Sequence, residues 1–211
     1  MRRPNQEMTK RSVLAFLGDR ESTAAIARLR ARATEIIAVA IDLGGGPPLG
    51  ELHIAALQAG ATRCHVLDVR EEFLRSVLLP ALRTGRFTSD SHVRGQHAVE
   101  FINEQLRTIA EIEDATLVER RGPVSIEQGT AAPVAGPALL ELSFSRGVPV
   151  AINDVAMTLT ELMESVETIA GASPLDLIRR AYRGLPSCGD GEIVIRIENG
   201  CYAVPAAAVA V

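Results

Sequence analysis

Apolar and polar positions in the first half of the chain switch between two periods, which predicts strands and helices in turn. Val13-Leu14-Ala15-Phe16 is a short apolar run of the kind a buried strand shows. Ser22 and Thr23 then precede a helical spacing of Ile26, Leu29 and Ala33. Ile36 to Ile41 is a second apolar run, ending in Asp42-Leu43-Gly44-Gly45-Gly46-Pro47-Pro48, which must be a loop. Leu52, Ala55, Ala56 and Ala59 mark a helix closed by Gly60, and Cys64 to Leu67 a third strand. Phe73, Leu74, Val77, Leu78, Ala81 and Leu82 share one helix face, with a kink expected at Pro80. Three strand–helix units in succession predict right-handed βαβ crossovers and a parallel sheet.

A polar stretch, Thr84 to Gly95, leads to an amphipathic helix through Val99, Ile102, Leu106, Ile109 and Ala110, and Thr116-Leu117-Val118 is a candidate fourth strand. Arg120 to Pro137, rich in Gly, Pro and Ala, reads as a linker. The pattern then changes. Ala138 to Phe144 and Val148 to Ile152 flank Ser145-Arg146-Gly147, a hairpin signal. Thr158-Leu159-Thr160-Glu161 fits a capping box, opening a helix with Leu159, Leu162, Met163, Val166 and Ile169 on one face. Ser173-Pro174 starts another helix by N-cap and first-turn preference. Glu192 to Glu198 alternates, with Ile193, Ile195 and Ile197 on one face, and Asn199-Gly200 turns the chain into Cys201 to Val204. The expectation is an α/β domain over residues 1–122 and a small α+β lobe over residues 137–211.

Composition narrows this picture. The chain of 211 residues is 47% hydrophobic but only 3% aromatic, without Trp. Its core must be built of Leu, Ile, Val and Ala, which suits a covered parallel sheet. A net charge of −4 gives no basic footprint and disfavours nucleic acid. Cys64, Cys188 and Cys201 lack metal-ligand spacing and read as free thiols in a reducing cytoplasm. His92 and His97 are five apart and, with His53 and His65, form no visible metal site, so no tightly bound metal is expected. The basic start precedes an apolar run, Val13 to Leu17, too short for a signal peptide, and no stretch reaches the roughly 18 apolar residues of a membrane span.

Several blocks carry a resemblance. Val13-Leu14-Ala15-Phe16-Leu17-Gly18-Asp19-Arg20-Glu21-Ser22-Thr23 resembles the V-L-A-Y-S-G-G-L-D-T-S opening of argininosuccinate synthases. Ile37 to Gly44 resembles their I-A-V-T-A-D-L-G, and Val69-Arg70-Glu71-Glu72-Phe73 with Leu79-Pro80-Ala81-Leu82-Arg83 resembles A-R-E-E-F and F-P-A-L-R. Gly147 to Asn153 is similar to G-V-P-V-A-L-N, and Gly200-Cys201-Tyr202-Ala203-Val204-Pro205-Ala206 to G-x-Y-E-x-P-A. The resemblance implies a nucleotide-binding domain of the ATP-pyrophosphatase (HUP-like) type and an ATP-dependent carbon–nitrogen ligase acting on citrulline and aspartate. It also implies a homo-oligomer. The family's tetramerising arm has no counterpart in this sequence, so a dimer is expected.

The blocks depart from the family where its chemistry sits. The family's S-G-G-x-D-[ST]-S loop grips the pyrophosphate of ATP with backbone N–H groups and hydroxyls at a helix N-terminus. Here Leu17 replaces the first Ser, Asp19 the second Gly and Glu21 the Asp, while Gly18, Ser22 and Thr23 remain. Asp19 and Glu21 either cap the helix themselves or leave a weakened site for a nucleotide with fewer phosphates. The adenine end maps onto Ala15, Phe16, Leu17, Ile41 and Asp42, at the carboxyl ends of two strands, where an ATP- or AMP-type ligand is expected.

The family's T-G-K-G-N-D-Q-V-R-F-E aligns with Val93 to Phe101, placing Gln96 and His97 on its Asn-Asp and Glu100 on its substrate-binding Arg. A glutamate repels the carboxylate that a guanidinium would clamp. The bland alternative is a helical turn with Glu100 in solvent. Tyr202 and Asp190 match residues that contact citrulline in the family; Tyr202 is equally readable as an ordinary strand aromatic. These replacements point to a catalytically degenerate member that binds an adenine nucleotide or a partner, with an active ligase and an empty structural scaffold as alternatives.

Overall fold

A computed structural model describes residues 10–32, 34–85, 91–122, 124, 137–171, 173–186, 189–198 and 201–203. In chain order its elements are β1 (Arg11–Phe16), α1 (Arg20–Arg30), β2 (Glu35–Asp42), α2 (Leu49–Ala59), β3 (Arg63–Asp68), α3 (Arg70–Phe73), α4 (Leu79–Arg83), α5 (Ser91–Ile112) and β4 (Thr116–Leu117), followed by β5 (Ala138–Ser145), β6 (Val148–Ile152), β7 (Val155–Ala156), α6 (Leu159–Ala170), α7 (Pro174–Ala181), β8 (Gly191–Glu198) and β9 (Cys201–Ala203). They divide into two compact units. The first comprises Met1–Val69 and Ser91–Ile126, the second Arg70–Asp90 and Glu127–Val211. The helical stretch from Arg70 to Arg83, which the sequence groups with the first domain, therefore belongs to the second unit.

The first unit is built on a parallel sheet of order β3-β2-β1-β4. Val13 pairs with Ile37 of β2 and with Leu117 of β4, so β1 lies inside the sheet. Its apolar run and that of β2 are buried throughout, as strands covered on both faces require. Leu14, Phe16, Ile36, Ala38 and Ala40 pack with Ile26 of α1 and Leu52 and Ala56 of α2 in one cluster. In α5, Ala98, Ile102, Leu106 and Ala110 recur every four residues and are all buried. This helix begins at Ser91, earlier than the polar sequence before Gly95 suggests. The edge strand β3 departs from expectation as well. Most of its side chains are exposed, Val66 among them.

β2 and β3 extend the sheet to one side of β1, and β4 returns to the other. The strand order thus reverses between β1 and β4. In open parallel sheets the crevice beyond the carboxyl ends of strands at such a reversal is where ligands are held.

The second unit carries an antiparallel sheet of order β7-β6-β5-β8-β9. One face presents Leu140, Leu142, Phe144, Ile193, Ile195 and Ile197, all buried. Leu159, Leu162, Met163 and Val166 of α6 supply the matching apolar stripe. The sheet's other face leaves Leu139 and Val150 exposed. The capping box is present in full: Thr158 accepts from the Glu161 N–H, and the Glu161 carboxylate accepts from the Thr158 N–H. Ser173 caps α7, with Pro174 at its first position.

Pro80 does not break its helix. Between α3 and α4 the residues Leu74–Leu78 form a π turn, in which the Leu79 N–H reaches back to the Leu74 carbonyl. Proline has no N–H for the Ser76 carbonyl, and its ring would press on that group. One wider turn just before the ring relieves both problems.

Candidate functional site

The reversal point gathers two segments, the loop after β1 and the segment after β4. Gly18 lies in the left-handed region, with φ +74°. A Cβ there would also come within 2.9 Å of a Leu52 methyl, so this glycine is required for conformation and for space. Asp19 is the N-cap of α1, the capping role that the sequence offers for it. Its Oδ1 accepts the Ser22 N–H at 2.9 Å and the Ser22 hydroxyl at 2.7 Å. Thr23 Oγ1 donates to the Asp19 carbonyl at 3.0 Å. Both hydroxyls retained from the family's loop are therefore spent inside it, and Ser22 is buried. Leu17 is half-buried.

Arg120 is the residue that sequence reading misplaces. The sequence treats it as the start of a linker, yet its side chain is only 4% exposed. Its Nη2 donates to Asp19 Oδ2 and stands 3.3 Å from Glu21 Oε2. Asn103, buried on α5, holds the Arg120 backbone from both sides: the Arg120 N–H donates to Asn103 Oδ1 at 2.9 Å, and Asn103 Nδ2 donates to the Arg120 carbonyl at 3.0 Å. The Gly122 N–H donates to Glu21 Oε1 at 3.2 Å, and a Cβ at Gly122 would collide with that carboxylate. Burial raises the Asp19 pKa, but hydrogen bonds from Arg120 and Ser22 outweigh it and hold the carboxyl below its ordinary value. At the reversal point one guanidinium is pinned between two carboxylates.

Two replacements in the loop hint at this arrangement. Acidic residues at positions 19 and 21 sit at a helix N-terminus, where the helix dipole favours them and a nearby cation would pair with them. Nothing in the sequence says that the cation comes from 101 residues away.

The remaining candidates are distributed as follows. Ala15, Phe16 and Ile41 bury their side chains in the core. Asp42 Oδ1 accepts the Gly44 N–H at 2.8 Å, closing the loop after β2. Position 96 lies on α5, and the Gln96 side chain is outside the described residues. His97 and Glu100 lie one turn apart on α5, with Nδ1 3.9 Å from Oε2, and the Glu100 side chain is 83% exposed. Glu100 thus faces solvent in the third turn of α5, not its first.

Asp190 and Tyr202 belong to the second unit. Asp190 Oδ1 accepts the Arg146 N–H at 2.7 Å and fixes the β5–β6 turn. Tyr182 Oη donates to the Gly147 carbonyl of the same turn at 2.8 Å. Tyr202 pairs with Ile197 across β8 and β9; its side chain is outside the described residues, as are Cys188 and the segment from Val204 onward. Cys64 is half-buried, and desolvation raises its thiol pKa. Among the described residues no group of three or more His, Cys, Asp or Glu is placed to hold a metal ion, and no helix is long and apolar enough to cross a membrane.

Residues 11–122 match the family model "Arginosuccinate synthase N-terminal HUP domain". The chain belongs to that argininosuccinate synthase family. Its first unit is accordingly a HUP-type α/β fold, in keeping with the parallel β3-β2-β1-β4 sheet. Among curated relatives, argininosuccinate synthase of Streptococcus suis (strain 05ZYH33) is 44% identical over 77 residues, 36% of this chain and 19% of the relative. That of Desulforamulus reducens is 36% identical over 108 residues, 50% of this chain and 27% of the relative. That of Streptococcus agalactiae (serotype Ia) is 25% identical over 242 aligned residues, covering 75% of this chain and 61% of the relative. The matches therefore span from about one fifth to about three fifths of these synthases' length. Among solved structures, NAD+ synthetase from Burkholderia pseudomallei matches with a TM-score of 0.37 at 19% identity, over 54% of this chain and 46% of that one.

Proposed function

We propose that this chain is a catalytically silent member of the argininosuccinate synthase family, which keeps an adenosine-sized crevice and serves a regulatory or assembly role in the cytoplasm. The observation that carries this reading is the fate of the phosphate loop. Ser22 N–H, Ser22 Oγ and Thr23 Oγ1 are all engaged with Asp19. A pyrophosphate needs those donors free and aimed outward. Ala15, Phe16 and Ile41 are buried in the core, which supports a fixed backbone at the carboxyl ends of β1 and β2, where the resemblance puts the adenine. On α5, Glu100, which the sequence resemblance aligns with the family's carboxylate-binding arginine, points to solvent.

Calorimetry with adenosine, AMP and MgATP tests the reading. Adenosine and AMP are expected to bind and MgATP to bind no tighter than AMP. Micromolar MgATP binding, or release of pyrophosphate dependent on citrulline and aspartate, would sink it. The second reading, an active carbon–nitrogen ligase of arginine biosynthesis, is favoured by one observation: 44% identity to a curated argininosuccinate synthase over 77 residues. The pyrophosphate assay decides between the two. A dimer, the assembly expected from the sequence, is tested by sedimentation of the full chain.

A further inference from the structure

Three kinds of donor converge on a single carboxylate at the reversal point. Asp19 receives the Ser22 N–H, the Ser22 hydroxyl and the buried Arg120 guanidinium. A backbone N–H at a helix start, a hydroxyl and an arginine fork are also the groups that proteins use to hold a phosphoryl anion. Here an anion is already in place, supplied by the chain itself. We propose that the Asp19 carboxylate is the resident anion of this crevice, and that Asp19 and Arg120 together set its specificity by barring any phosphate chain. Arg120 is then a latent anion anchor, held in reserve by Asp19 and Glu21.

This inference rests on reading the reversal point as the nucleotide crevice. It adds that the bar is charge and occupancy rather than loss of donors. The geometry supports the distinction. Asp19 has φ −85° and ψ 170°, extended backbone open to any residue, so removing its side chain does not strain the loop. Asn103 and the Gly122 N–H keep the Arg120 segment in place from the other side, independently of Asp19. An incoming pyrophosphate meets two carboxylates, Asp19 and Glu21, against one buried guanidinium. Taking away the Asp19 charge leaves one guanidinium beside one carboxylate, Glu21, and removes one of the two like charges that an incoming pyrophosphate meets.

The test titrates inorganic pyrophosphate, without nucleotide, into the full chain and its variants. Asp19→Gly removes the side chain; Asp19→Asn removes only the charge and keeps an oxygen to cap α1. Far-UV circular dichroism establishes that each is folded, and Asp19→Asn serves if Asp19→Gly is not. Either folded variant is expected to bind pyrophosphate at least about tenfold tighter than the unaltered chain, from loss of one like charge at short range. Adding Arg120→Gln is expected to abolish the gain. Equal binding by the unaltered chain and the variants, no binding by a folded variant, or a gain that survives Arg120→Gln would each overturn the proposal. Adenosine binding by the unaltered chain is a separate titration. Its failure bears on the proposed function, whereas the pyrophosphate series bears on the Asp19 bar alone.

Discussion

Replacing Arg120 with alanine removes the only side chain that reaches both Asp19 and Glu21 among the ion pairs of the described residues. Removing one member of a buried ion pair typically costs about 3–5 kcal/mol, since the other is left uncompensated. Here the carboxylates are not fully buried: the Asp19 and Glu21 side chains are 37% and 40% exposed. Water can therefore take over part of their solvation, which brings the expected loss down to about 2–3 kcal/mol. In urea, with a slope of about 1–3 kcal/mol per molar, this moves the midpoint down by roughly 1 M. The measurement is a urea titration of the full chain and of Arg120→Ala, followed by circular dichroism.

The same titration carries a pH test. Asp19 has a lowered pKa in the folded chain, so its contribution is complete above the unfolded carboxylate value of about 3.9 and is lost as the pH falls through the folded value. The gap between the unaltered chain and the variant should be full at pH 7 and close in acid. A loss under about 0.5 kcal/mol at pH 7, the range of ordinary surface substitutions, would refute the reasoning, because it would mean that the guanidinium is not held at the crevice.

Further outcomes follow from other parts of the structure. Gly18→Ala should destabilise by about 1–2 kcal/mol, combining left-handed backbone with the Leu52 contact, and is measured by the same titration. Thr158→Ala should cost about 1 kcal/mol through loss of the cap of α6, with Thr158→Ser retaining most of the stability. Tyr182 is buried beside Arg83, and desolvation pushes its pKa up to about 12. Ultraviolet titration of the folded chain should find this phenol still protonated at pH 11. The stability it adds is complete below the unfolded tyrosine value of about 10 and is lost as the pH rises through 12. A midpoint near 10 for Tyr182, assigned with Tyr182→Phe, would show the phenol to be as solvated as a free one and would refute the burial.

Local signals in the sequence carried far. The apolar runs at Val13–Phe16 and Ile36–Ile41 became the two central strands because continuous burial leaves no alternative to a covered parallel sheet. The capping box at Thr158–Glu161 was legible because all its hydrogen bonds close within four residues. What stayed hidden depends on partners distant in sequence. Arg120 looks like linker until β4 brings it beside Asp19, and no local signal announces that Asp190 accepts the Arg146 N–H from 44 residues away. The π turn before Pro80 stayed hidden for another reason. A proline forbids one hydrogen bond, and the sequence does not say that the chain answers by widening the preceding turn.

The second unit draws Arg70–Asp90 out of the middle of the first, so the chain leaves one unit at Val69 and comes back at Ser91. The stretch matched by the family's N-terminal HUP-domain model, residues 11–122, is consequently not a piece that can be cut out whole. A fragment ending there would carry α3 and α4 without α6 and α7, the helices they pack on. Phe73, Leu78 and Leu82, buried in the intact chain, would lie bare and invite aggregation. On the ribosome the same constraint keeps this greasy segment waiting until more than the first 170 residues have emerged, since α6 ends at Ala170. The bounds of the matched domain model and the bounds of the packed units divide this polypeptide along different lines.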